Sequence, residues 1–174
     1  TLYVRAICEG VRRFTAKRGA PVSLALPPLN YGGHPYHHLG MPGTVIVREH
    51  VVREMMIDVM LGLWNDGFRK QLIVNNHGQL WMLESAVQEF VKRYQLPGIF
   101  RVIDWHRGVR EFFRPVERGG KMTTNFVHAD ESETSLSLLL HPEMVDMNYA
   151  VDTEGKSYLP EGHFDKSVDP FGRP

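Results

Sequence analysis

The apolar run Gln71-Leu72-Ile73-Val74 breaks directly into the polar turn Asn75-Asn76-His77-Gly78, and segments of helical period flank it on both sides. That pattern predicts a short buried strand whose end presents His77 at the edge of a sheet. Upstream, Val52, Met55, Met56, Val59, Met60 and Leu63 recur at helical spacing between Val51 and Trp64, and Asp66-Gly67 ends the helix. Downstream, Leu83, Val87, Phe90 and Val91 share one face of a helix over Leu80 to Tyr94, which Pro97-Gly98 stops. Ile99 to Ile103 is a further strand. Strand, helix and strand at these lengths imply a right-handed crossover and a mainly parallel sheet covered on both faces.

The rest of the chain fits around that unit. Leu2, Ala6, Ile7, Val11 and Phe14 predict an amphipathic helix from Leu2 to Arg18, capped by Gly19. Pro21 to Leu26 reads as a buried strand, ended by Pro27-Pro28 because proline cannot donate to a ladder. Asn30 to Gly43 holds four glycines and three histidines without either period and reads as a long loop after a strand. Thr44 to Val47 is a brief strand. A short helical piece from His106 to Phe113, a polar loop to Thr124, a helix from Glu131 to about Leu140 and an irregular tail complete the chain.

With 174 residues, 43% hydrophobic and 23% charged, the composition is that of one soluble globular domain with a real core. Twenty basic residues balance twenty acidic ones, so no global field draws the chain to nucleic acid or an anionic membrane, and a small neutral or polar substrate is expected. The single cysteine, Cys8, has no internal disulfide partner, which fits a reducing compartment and a cytoplasmic address. No run approaches the roughly eighteen apolar residues of a membrane span, and no signal pattern opens the chain. It begins with Thr1 and ends in an irregular segment, so both ends read as cut from something longer.

In open parallel sheets, ligands gather beyond the carboxyl ends of the strands. The segments Asn30 to Thr44, Asn75 to Gln79 and Asp104-Trp105-His106 each follow a strand and carry histidine. His77 is either a metal ligand, since imidazole suits zinc and manganese, or a turn residue bonded locally. In His128-Ala129-Asp130-Glu131-Ser132-Glu133, carboxylates in a first helical turn suit ordinary capping, strongly so for Glu131. Glu133 leads into Leu136, Leu138, Leu139 and Leu140, which make the helix deeply apolar, so its carboxylate needs a cation or an arginine.

Three blocks in order carry a resemblance. Leu26-Pro27-Pro28-Leu29-Asn30-Tyr31-Gly32, then His38 and Met41-Pro42-Gly43-Thr44, resemble the "LPPLPYG … H-x-x-F-P-G-T" block of the creatininase, or creatinine amidohydrolase, family. Gly67-Phe68 with Val74-Asn75-Asn76-His77-Gly78 resembles its "GF … V-N-G-H-G", and His128-Ala129 with Glu133-Thr134-Ser135 resembles its "H-A-G-x-x-E-T-S". The resemblance covers nearly the whole chain. It implies an α/β fold of three layers, α/β/α, around a mainly parallel central sheet, as one domain over 1–174 that is incomplete at its N-terminus and its C-terminus. It also implies a hydrolytic site with two divalent metal ions, Zn2+ and/or Mn2+, in a homo-oligomer that is often a hexamer. By position, His77 and Glu133 would each bind one metal, and His128 would be the catalytic imidazole, moving a proton while the metals activate water.

Departures from the family pattern narrow the substrate. The upstream "E-x-H-G … D" segment that supplies the remaining ligands has no match, and its aspartate would fall immediately before Thr1, so the chain is expected to be cut there. Gln79 stands where creatininase has a glutamate, Val127 replaces a carboxylate, and Thr124-Asn125 replace a tryptophan and an aspartate. Creatinine is therefore disfavoured. The blocks Gly32 to His38 and Asp104 to Arg107 resemble a branch of ring-opening hydrolases of inositol breakdown that act on a dehydro-inosose. In that reading His37, His38, Gln79, Trp105 and His106 line a polar pocket for a small cyclic ketone. For Trp105 the competing role is a core aromatic, and for His37 and His38 it is bonding within the loop. The alternatives are a cyclic amide or formamide as substrate, and an inactive fragment or structural subunit.

Overall fold

The structure, a computed structural model, describes residues 2–19, 21, 23–33, 45–77, 80–123 and 130–150. It divides into two compact units, one of Thr1–Leu29, Val74–Asn76 and Ile103–Ala150, the other of Asn30–Ile73, His77–Val102 and Val151–Pro174. The core lies in the second. There α2 (Glu49–Asn65) leads into β1 (Lys70–Asn75), α3 (Leu80–Tyr94) crosses over, and β2 (Ile99–Asp104) pairs with β1 in a parallel sheet. The helix between two parallel neighbours is the crossover that the periodicity predicts.

Val52 and Met56 of α2 pack with Met82, Leu83 and Ala86 of α3, against Ile73 and Val102 of the sheet. A second cluster joins Ile57 and Met60 to Phe90, against Ile73 and Phe100. Burial of large apolar side chains at this density stabilises by roughly 1.5–3 kcal/mol each. Within the strand run, Gln71 is buried and its amide donates to the Met60 and Phe68 carbonyls. A parallel bridge pairs Gly32 with Ile46, and the Val47 amide donates to the Gly32 oxygen at 3.0 Å. Gly33 beside it is obligatory in size, because a Cβ there would stand 2.9 Å from the Met82 sulfur and 3.0 Å from the Val47 carbonyl oxygen.

The first unit holds α1 (Leu2–Arg18), the short α4 (Trp105–Gly108) and α5 (Glu131–Leu140). Gly19 takes φ +61°, the left-handed value that closes α1. None of the described helices is long and apolar enough to cross a membrane.

Several expectations fail in instructive ways. Residues 23–29 form no strand, and Leu24 and Leu26 are 63% and 53% exposed. Apolarity alone does not make a strand where prolines at 21, 27 and 28 remove donors and no ladder is at hand. The brief strand expected over Thr44 to Val47 reduces to the single bridge at Ile46 among the described residues. The helical piece expected to reach Phe113 stops at Gly108, where glycine disfavours helix and Val109 leaves helical dihedrals. The helix α5 is not deeply apolar in its setting: only Ser132 is buried, and Leu139 is 76% exposed. Val59 and Val91, assigned to buried faces, are exposed, and Ile57 and Met82 take the core positions.

Candidate functional site

Where β1 and β2 end, the first unit builds a tight polar and aromatic group. The Trp105 indole nitrogen donates to the Asn76 side-chain oxygen. Trp105 and His106 stack with ring centroids 4.1 Å apart, and Phe113 meets each of them edge-on at 5.4 and 5.5 Å. Asp104 caps α4 by accepting from the His106 amide at 3.2 Å, and the same carboxylate oxygen lies 3.0 Å from His106 Nδ1. A carboxylate oxygen accepts, so Nδ1 is the donor in this contact. The imidazole is thereby held in one tautomer and one orientation. Trp105 thus packs against two neighbouring rings while its indole N–H is held by Asn76.

Glu133 lies in the first turn of α5, half-buried. Asp130 is the cap: its Oδ1 accepts from the amides of Ser132 and Glu133, both at 3.0 Å, and from the Ser132 hydroxyl at 2.6 Å. Glu131, expected to be the capping carboxylate, instead accepts from the amide and hydroxyl of Thr123, both at 2.6 Å. Its side chain fastens the loop before the helix. The Tyr3 and Ser137 hydroxyls each lie 2.9 Å from the Glu133 carbonyl oxygen, and they contact one another.

A cavity of about 330 Å³ opens beside these groups within the same unit, lined by Leu2, Tyr3, Asn76, Ser137 and His141. Tyr3, Ser137 and His141 were not singled out by sequence. One signal for Ser137 was present, since it stands four residues after Glu133 and shares its helix face. Nothing in the pattern of α1 sets Tyr3 apart. Burial, and then the Glu9 carboxylate, push the Cys8 thiol up, which disfavours the thiolate.

His77 follows β1 directly and is half-buried in the second unit. His37, His38, Gln79 and His128 lie outside the described residues. Among the described residues no group of three His, Cys, Asp or Glu side chains is gathered to hold a metal. The donor types of His77 and of Glu133, an imidazole and a carboxylate, each suit zinc or manganese.

Comparison with known proteins gives this chain its family. The family model for creatininase, creatinine amidohydrolase, matches residues 1–172, and the chain belongs to that family. The 3-dehydro-scyllo-inosose hydrolase of Thermotoga maritima is 46% identical over 147 residues, which are 84% of this chain and 47% of that protein. The chain spans about half the length of this curated relative. Among solved structures, creatinine amidohydrolase (creatininase) matches with a TM-score of 0.74 and 24% identity, over 99% of this chain and 68% of the other. A manganese creatininase matches at 0.73 and 23%, over 99% and 68%. A mutant creatininase of zinc–zinc type matches at 0.72 and 23%, over 97% and 68%. These likenesses show the α/β creatininase fold.

Proposed function

We propose that the protein is a metal-dependent hydrolase that opens a small cyclic substrate, an inositol-derived ketone of the 3-dehydro-scyllo-inosose kind. The likeness to the Thermotoga hydrolase carries this reading, because it runs through both strand ends and the α5 turn. His77 and Glu133 would hold divalent cations, Zn2+ or Mn2+ and two per complete subunit, with ligands from outside these two positions. Bound there, such cations polarise a carbonyl oxygen and lower the pKa of water.

The chain's own residues do the remainder. His128 is the proton carrier. Trp105, stacked on His106 and tied to Asn76, offers a flat polar-edged wall suited to the face and hydroxyls of a cyclitol. His37, His38 and Gln79 supply further hydrogen bonds to the substrate. We read residues 1–174 as one domain of a cytoplasmic homo-oligomer, a hexamer being the assembly the family resemblance implies; sedimentation of the purified protein tests that part.

The direct test incubates the Mn2+- or Zn2+-loaded protein with the dehydro-inosose and follows ring opening by NMR, with creatinine in parallel. Turnover of the cyclitol ketone that His128→Ala abolishes supports the reading. Turnover of creatinine alone replaces it with the cyclic-amide reading, which the creatininase fold favours. Absence of both, in protein that holds its metals, leaves a structural subunit.

A further inference from the structure

We propose that Tyr3 is a positioning residue for Glu133, acting from α1 through the Glu133 main chain; this rests on reading Glu133 as a metal ligand. Three oxygens meet at one point: the Tyr3 hydroxyl lies 2.9 Å from the Glu133 carbonyl, the Ser137 hydroxyl lies 2.9 Å from the same carbonyl, and the two hydroxyls are in direct contact. Two hydroxyl protons serve these three contacts. One must lie between the hydroxyls, so the other is given to the carbonyl, either by Tyr3 with Ser137 behind it or by Ser137 with Tyr3 behind it. In both arrangements the chain of donors ends on Glu133.

The placement is specific. No side chain of α1 is fully buried, so apolar packing does not by itself fix that helix, whereas the phenol reaches a single main-chain atom 130 residues away. A helix carbonyl that accepts from a side chain in addition to its own ladder tilts outward and bends the turn that carries it. Asp130 holds the amide of Glu133 at 3.0 Å, so the residue is gripped at both its amide and its carbonyl. With the main chain pinned on both sides, the carboxylate leaves the helix from a fixed origin. Partners outside the ligand shell that orient a ligand in this way contribute roughly 10- to 100-fold to metal affinity.

The experiment is Mn2+ titration of the purified protein, followed by EPR, for Tyr3→Phe, Ser137→Ala and Glu133→Gln, with thermal melts of the same samples. Tyr3→Phe keeps the ring and removes only the hydroxyl, and Ser137→Ala places a good helix former at the second donor. The expected result is about tenfold weaker Mn2+ binding in Tyr3→Phe and a loss in the same direction in Ser137→Ala. Unchanged affinity in Tyr3→Phe, with or without a lower melting temperature, overturns the positioning role if Glu133→Gln still loses the metal. Unchanged affinity in all three overturns the ligand reading and this inference together.

Discussion

The Gln71 side-chain amide lies 3.0 Å from the Met60 carbonyl oxygen and 3.1 Å from that of Phe68, so one buried polar group fastens the end of α2 to the start of β1. Gln71→Met keeps the length and removes both donors. The expected cost is about 1–3 kcal/mol, the penalty of unmade buried hydrogen bonds. A urea midpoint within error of the parent would show that the contact contributes nothing.

Phe90 is fully buried between Ile57, Met60 and Phe100, at 0% exposure. Phe90→Ala leaves a cavity that the two helices cannot close without moving, and should destabilise by about 3–5 kcal/mol. Chemical denaturation measures it; a loss below about 1 kcal/mol would mean that this cluster is not the core of the unit.

The Arg93 guanidinium grips Glu54 at 2.7 and 2.9 Å and Glu89 at 2.9 Å, and holds both carboxyls below their ordinary value of 4.5. A carboxyl whose folded pKa lies below its unfolded one adds stability above the unfolded value. That contribution fades as acid carries the pH down through the folded value. Arg93→Met should therefore flatten the acid limb of the stability curve while changing little in high salt, where exposed pairs are screened. An acid limb of unchanged slope in the variant at low salt would rule out this source.

Asp104 both caps α4 and sets the tautomer of His106. Asn is as good a cap, so Asp104→Asn preserves the turn while replacing an acceptor-only carboxylate by a group that also donates. Nitrogen chemical shifts of His106 should report a mixture of tautomers in the variant and one in the parent. KM for the cyclitol ketone should rise while kcat changes little, because His106 lines the proposed pocket and His128 carries the proton. A single unchanged tautomer would remove Asp104 from this role.

What could be read from sequence follows the physics of each element. The bounds of α1, α3 and α5 and the existence of β1 and β2 follow from strict periods bounded by Gly, Pro or Asn, and the structure agrees. The segment Pro21 to Leu26 was misread because apolarity records a wish to be buried and not the presence of a neighbouring ladder. That Trp105 and His106 follow a strand, that His77 follows another and that Glu133 lies in a first helical turn was legible from sequence. The Asp104–His106 contact and the grip of Tyr3 were not, because the first depends on the dihedrals of a four-residue turn and the second joins residues 130 positions apart. Asp130 caps instead of Glu131 because the cap is the residue just before the first helical one, and the helix begins at Glu131 as expected.

The bridge between Gly32 and Ile46 brings the two feet of the intervening segment to hydrogen-bonding distance, and Gly33 lets the first foot pass close to Met82. Segments whose ends are tied in this way can change length at little cost, about 0.6 kcal/mol for each doubling. The bridge therefore fixes where the chain leaves and rejoins this unit, whatever lies between the two feet.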